Sequence, residues 1–148
     1  MKHVLQLAGL YAVFAIMAMY VGEVEHLFKF GFTDEWAPFI ITAVVAIVLP
    51  TALEEVTFRV FLPWWAGKFL LRPLAELLAV GLFVLWHPVQ VWAGLPLAQP
   101  LFLEPGFLMI VAVLGGLCQY ALRLTGSLWP ALVMHWLTVV AWKGLLAG

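Results

Sequence analysis

The sequence predicts an all-α, polytopic transmembrane helix bundle of about five spans, and three observations carry that prediction. Apolar residues (AVILMFWYC) make up 66% of the chain and charged residues 10%, where soluble domains run near about 45–50% and 25%. The mean hydropathy is +1.08. The apolar residues also fall in continuous runs near the roughly 20 residues that cross a bilayer, without the alternation of a membrane barrel. At 148 residues the chain is expected to be a single membrane-embedded domain over 1–148.

The first run, Val4 to Val21, follows Lys2. A charged start before an apolar stretch resembles a secretory signal, but no small-x-small cleavage site follows, so an uncleaved first helix is expected. A polar insert from Gly22 to Glu35 precedes the second run. That run extends from Trp36 to about Leu71 and contains Pro50 and Pro63, each able to kink or break a helix. The third runs from Pro73 to Trp92, the fourth from Pro105 to Leu122 and the fifth from Ser127 to Leu146. Gly115-Gly116 offers small residues for close helix packing or self-association.

Charge limits the partners and sets an orientation. Seven Lys and Arg against eight Asp and Glu give a net charge of −1, so there is no polybasic footprint for nucleic acid. The one cysteine, Cys118, cannot form an intrachain disulfide. With the N terminus inside, Lys2, Lys68, Arg72 and Arg123 lie at cytoplasmic ends, and only Lys29 and Lys143 lie outside. Lys and Arg favour the cytoplasmic side, so a multi-pass protein of a prokaryotic inner membrane with its N terminus inside is expected.

Ionisable groups within a span cost roughly 2.5–3.5 kcal/mol each on insertion scales and require a reason. They are concentrated here: Glu54, Glu55 and Arg59 in the second run, His87 in the third and His135 in the fifth. If the chain reverses near Leu71–Pro73, Glu54 and His87 reach similar depth, about 25 Å and 21 Å from the turn. His135 lies midway along its helix, so one buried polar site can gather all five residues. Glu55 and Arg59 suit an i,i+4 ion pair. Glu54 is free to serve as general base toward a water molecule, and a nearby histidine to orient that water or stabilise an oxyanion. Other readings stay open. Thr51-x-x-Glu54 matches a capping box after Pro50, Glu55–Arg59 can be purely structural, and His87 and His135 can be ordinary helix-end and core histidines.

These residues resemble the motifs of the CAAX-protease and bacteriocin-processing family of intramembrane glutamic endopeptidases, also called the Abi family. Its Glu-Glu-x-x-x-Arg motif is matched by Glu54-Glu55-Val56-Thr57-Phe58-Arg59, and its Phe-x-x-x-His motif by Phe83-Val84-Leu85-Trp86-His87. Its third motif, a His in the last core helix after a Ser-x-x-Pro entry, resembles Ser127-Leu128-Trp129-Pro130 leading to His135. The resemblance spans residues 50–140, with the motifs in the family's order. One position departs: the family usually carries Asn or Asp four residues after that His, and here Val139 stands there. Thr138, about 100° around the helix, is the nearest polar candidate for oxyanion support.

By resemblance, Glu54 activates the attacking water with help from His87, His135 stabilises the tetrahedral intermediate, and Glu55 and Arg59 shape the site. The substrate implied is a membrane-anchored protein or peptide cleaved near its C terminus. The outward position of Glu54 and His87 favours a bacterial C-terminal sorting signal over a prenylated cytoplasmic tail. No cofactor is required. Glu and two His are acceptable zinc ligands, which leaves a metal-dependent CAAX-type prenyl protease as an alternative, but no His-Glu-x-x-His helix is present to demand metal. A non-enzymatic bacteriocin-immunity or membrane binding protein is the other alternative.

Overall fold

A computed structural model describes residues 2–29, 31 and 33–145. It contains five long helical elements: α1 (Lys2–Val24), α2 (Trp36–Ala66), α3 (Arg72–Trp92), α4 (Pro105–Thr125) and α5 (Trp129–Leu145). The first four are long and apolar enough to cross a membrane. The fifth has 17 described residues, about 26 Å of helix, and Leu146 of the expected run lies outside the described residues. A short 3₁₀ turn, Pro100–Leu103, precedes α4. The fold is the expected polytopic helical bundle.

The boundaries follow local chemistry. The second element ends at Ala66 rather than Leu71, because Gly67–Leu71 forms a turn in which the Lys68 ammonium sits 3.9 Å from the centre of the Trp64 ring. Leu71 is extended before α3, which carries Pro73 at its start. Gly126 closes α4 in the left-handed region (φ 67°), its amide on the Leu122 carbonyl at 2.8 Å. That conformation favours glycine at a helix end.

Pro50 does more than bend α2. Leu49 leaves the helical region (φ −123°, ψ 111°), as a residue before proline is pushed to do. Wide π-type turns, Ile47–Ala52 and Val56–Phe61, flank the three residues Leu53–Glu55. The Glu-Glu pair therefore rides on a short helical step between two irregular turns, a setting frequent at functional sites.

The main core joins Leu7, Phe14 and Val21 of α1, one heptad apart, to Ile110, Leu114, Cys118 and Ala121 of α4 and to Ala131 and Met134 of α5. Phe58, Phe83 and Val111 form a second core between α2, α3 and α4. Gly115 is required there, since a Cβ would lie 2.9 Å from the Phe83 ring and 3.4 Å from the Arg59 guanidinium. Gly116 has nothing within 4 Å, so only the first of the two glycines serves packing within the chain. Large apolar side chains such as Val4, Ile16, Ile41 and Leu77 face outward, where lipid replaces water as solvent.

The helix ends are charged asymmetrically. Glu76 of α3 accepts from Arg72 Nε at 2.9 Å and pairs with Arg123 of α4. This brings the start of α3 beside the end of α4, at the end that also holds Lys68. At the opposite end, Gly31 and Thr33 donate to the carbonyls of Leu145 and Gly144 at 3.1 Å, placing the acidic α1–α2 connection beside the end of α5.

Candidate active site

The Glu54-Glu55 step faces α3 and α5. Glu55 is fully buried, with Oε2 3.3 Å from Arg59 Nε and Oε1 2.9 Å from His135 Nδ1. The Glu55–Arg59 contact is a charge contact rather than an aligned hydrogen bond, because no guanidinium nitrogen of Arg59 has an aligned acceptor. The guanidinium also lies 4.4 Å from the centre of the Phe83 ring. Arg59 is thus balanced by a carboxylate on one side and an aromatic face on the other.

His135 bridges the two glutamates. A carboxylate held beside Arg59 only accepts, so the His135 Nδ1–H donates to Glu55 and fixes the ring's orientation. Its Nε2 then turns to Glu54, 3.8 Å from Oε2, beyond direct hydrogen-bond reach. Glu54 Oε1 accepts from the Trp86 indole Nε1 at 3.0 Å, while Oε2 has no partner among the described residues. Glu54 is therefore not a helix cap. Thr51 lies inside the π-type turn, and its buried hydroxyl has no partner among the described residues.

His87 donates from Nδ1 to the Phe83 carbonyl at 3.0 Å, since a carbonyl oxygen only accepts. Its Nε2 makes no hydrogen bond among the described residues. His87 reaches the group through Phe83, whose ring stands edge-on to His87 at 5.2 Å and to His135 at 5.8 Å. Phe102 and Phe107 enclose the other faces of the imidazole at 5.3 and 5.6 Å. Arg59, His87 and His135 thus stand around the one Phe83 ring, and Glu54 and Glu55 join them through His135.

Thr138 does not join them. Its hydroxyl donates to the Met134 carbonyl at 2.9 Å and lies 3.0 Å from the Tyr11 hydroxyl of α1. Thr138, the candidate for oxyanion support, faces Tyr11 of α1, and its hydroxyl makes no hydrogen bond to Glu54, Glu55, His87 or His135. Among the described residues, no three His, Cys, Asp or Glu side chains form a group that could hold a metal ion.

The sequence reading missed Trp86, Phe83 as the common neighbour, and Gly115 as the space that admits it. Trp86 had one signal, its place just before the second-motif histidine. Phe83 had its place at the head of the second motif and Gly115 its small size, but their contact with each other is visible only in the packing.

A cleft of about 710 Å³ lies between α2, α3 and the loop at Leu95–Leu97. Its walls are apolar, from Leu53, Phe58, Leu82, Leu85 and Val89, and Glu54 and Trp86 stand on them. Leu53, Leu85 and Val89 are also exposed, so the cleft opens sideways at the outer face of α2 and α3. Glu54 lies about 18 Å from the end of α2 and His87 about 22 Å from the start of α3, both measured from the basic end.

No curated protein and no solved structure matches the chain. The family model described as Rce1-like, type II CAAX prenyl endopeptidase Rce1-like, matches residues 35–141, the stretch that holds α2 to α5 up to Ala141 and every site residue above. A polytopic helical chain with these motifs over more than two thirds of its length is a multi-pass membrane protease of CAAX type: it belongs to the Rce1-like family.

Proposed function

We propose that this protease is of the glutamic type, with Glu54 as the base that activates water. The carrying observation is the state of the Glu54 carboxylate: one oxygen is held by Trp86, and the other stands beside His135 Nε2 at the wall of an open cleft. Glu54 takes a proton from water as the water oxygen bonds to the scissile carbonyl carbon. His87 Nε2 accepts the water's second O–H and orients it. His135, positioned by Glu55, donates from Nε2 to the developing oxyanion when protonated. The proton held by Glu54 passes to the leaving amine as the C–N bond breaks, giving a carboxylic acid and an amine. Arg59 holds Glu55 in place through their ion pair, and Glu55 keeps the imidazole aimed.

The substrate is a membrane-anchored protein cleaved near its C terminus. The sideways opening and apolar walls of the cleft support entry from the bilayer. Four basic side chains near one end, Lys2, Lys68, Arg72 and Arg123, support a cytoplasmic position for that end. The site then lies toward the outer leaflet, which favours a C-terminal sorting helix as substrate, in a prokaryotic inner membrane with the N terminus inside. The family match supports a second reading, a prenylated C-terminal tail. Comparison of membrane-protein C termini by peptide mass spectrometry, in cells carrying wild type or Glu54→Gln, tests the reaction. Truncated C termini vanish in the variant if the proposal holds. Equal profiles at equal protein levels would sink it and favour a binding or immunity role.

A further inference from the structure

Gln90 is the one further polar side chain on α3 at this level, and neither its burial nor its surroundings are explained by the groups above. It is nearly buried, at 7% exposure, and lines the same cleft as Glu54 and Trp86. On α3 it is three residues after His87 and four after Trp86, so it shares their face one turn further toward the acidic end. A polar side chain in a span ordinarily bonds across to a neighbouring helix. Gln90 makes no side-chain hydrogen bond among the described residues, and its amide atoms are not among those sealed from access. Burial alone does not set it apart, because Gln119 is equally buried. The difference is access: the Gln119 carbonyl oxygen is sealed inside the protein, whereas Gln90 lines the cleft. Its own backbone carbonyl accepts from Leu95 at 3.0 Å, which ties the Leu95–Leu97 wall to the same turn.

A carboxamide carries a donor and an acceptor side by side, as a peptide unit does. In an otherwise apolar cleft, the natural counterpart is the backbone of an extended segment, whose own N–H and C=O would lack partners there. One helical turn from Trp86 is about 5.4 Å, and an extended chain advances about 3.3 Å per residue. We propose that Gln90 is a substrate-positioning residue whose carboxamide pairs with a peptide unit within about two residues of the scissile bond. This rests on the proteolytic reading above.

The test uses the full-length protein in liposomes and two quenched-fluorescent probes, a farnesylated CAAX-type peptide and an unprenylated peptide ending in an apolar helix. Cleavage is measured for wild type, Glu54→Gln and Gln90→Leu, and each peptide bond of the cleaved probe is then replaced in turn by an ester, which removes one N–H. Gln90→Leu is expected to lower kcat/KM by about 10-fold or more, the scale of an unpaired polar group in a dry site. The ester at one bond near the scissile position should cost wild type a similar factor and cost Gln90→Leu nothing further, while the melting temperature of the variant stays at or above that of wild type. Wild-type rates in Gln90→Leu, or ester losses that are the same in both proteins at every bond, overturn the inference while leaving Glu54-dependent proteolysis standing. Absence of Glu54-dependent cleavage of both probes overturns the catalytic reading and this inference with it.

Discussion

Trp86 Nε1 donates to Glu54 Oε1 at 3.0 Å, tying the residue that precedes the second-motif histidine to the carboxylate of the first motif. The bond leaves the other oxygen of Glu54 to face His135. A hydrogen bond to a charged group contributes about 1.5–3 kcal/mol, so Trp86→Phe, which keeps the ring and removes the donor, should lower kcat by roughly 10- to 100-fold with little change in KM. Steady-state kinetics in liposomes check this, and an unchanged kcat would show that Glu54 is oriented without the indole.

Removing one partner of the buried Glu55–Arg59 contact strands the other. Glu55→Gln should cost about 3–5 kcal/mol of stability as well as activity, because His135 loses its orienting carboxylate. Adding Arg59→Met to Glu55→Gln should return much of the stability but none of the activity. Thermal unfolding in detergent and peptide cleavage, measured on the same samples, separate the two effects.

Two adjacent glycines make a controlled comparison. Gly115→Ala pushes a methyl group into Phe83, against which Arg59, His87 and His135 all stand. It should destabilise by about 1–3 kcal/mol, as overpacking does, and reduce activity. Gly116→Ala meets nothing within 4 Å and should be neutral or slightly stabilising by helix propensity. Equal behaviour of the two variants would refute the packing assignment.

Thr138→Val tests the site from outside. The hydroxyl is engaged by Met134 and Tyr11, so the variant should lose about 1 kcal/mol of stability and keep kcat within about twofold of wild type. Tyr11→Phe should behave alike. A large fall in kcat for Thr138→Val alone would return the hydroxyl to the oxyanion.

Metal removal is expected to leave the reaction intact. The proposed route uses His135 Nδ1 on Glu55 and His87 Nδ1 on the Phe83 carbonyl, with Glu54 as base. Cleavage should therefore persist after dialysis against EDTA or 1,10-phenanthroline. Loss of activity that returns with added Zn²⁺ would establish the metal-dependent alternative.

Much of this is legible in the sequence alone, because lipid imposes strict rules on it. A helix crossing the bilayer must be apolar along its length, so the spans and their approximate ends could be read directly. Ionisable groups inside such runs are costly, so Glu54, Glu55, Arg59, His87 and His135 stood out by type alone. Pro50 announced a break, although its extent was hidden: the rule that the residue before proline is extended operates at Leu49, and two π-type turns follow.

By itself, then, the sequence determined the membrane class, the helical architecture and the set of charged residues from which a site must be built. Only the tertiary structure decided which of them touch, and through what. In an all-apolar helix the hydrophobic pattern has no polar side to mark the inward face, so direction is settled by packing between helices. That packing turned Thr138 toward Tyr11, brought Trp86 onto Glu54, and opened the space at Gly115 for the ring around which Arg59, His87 and His135 assemble.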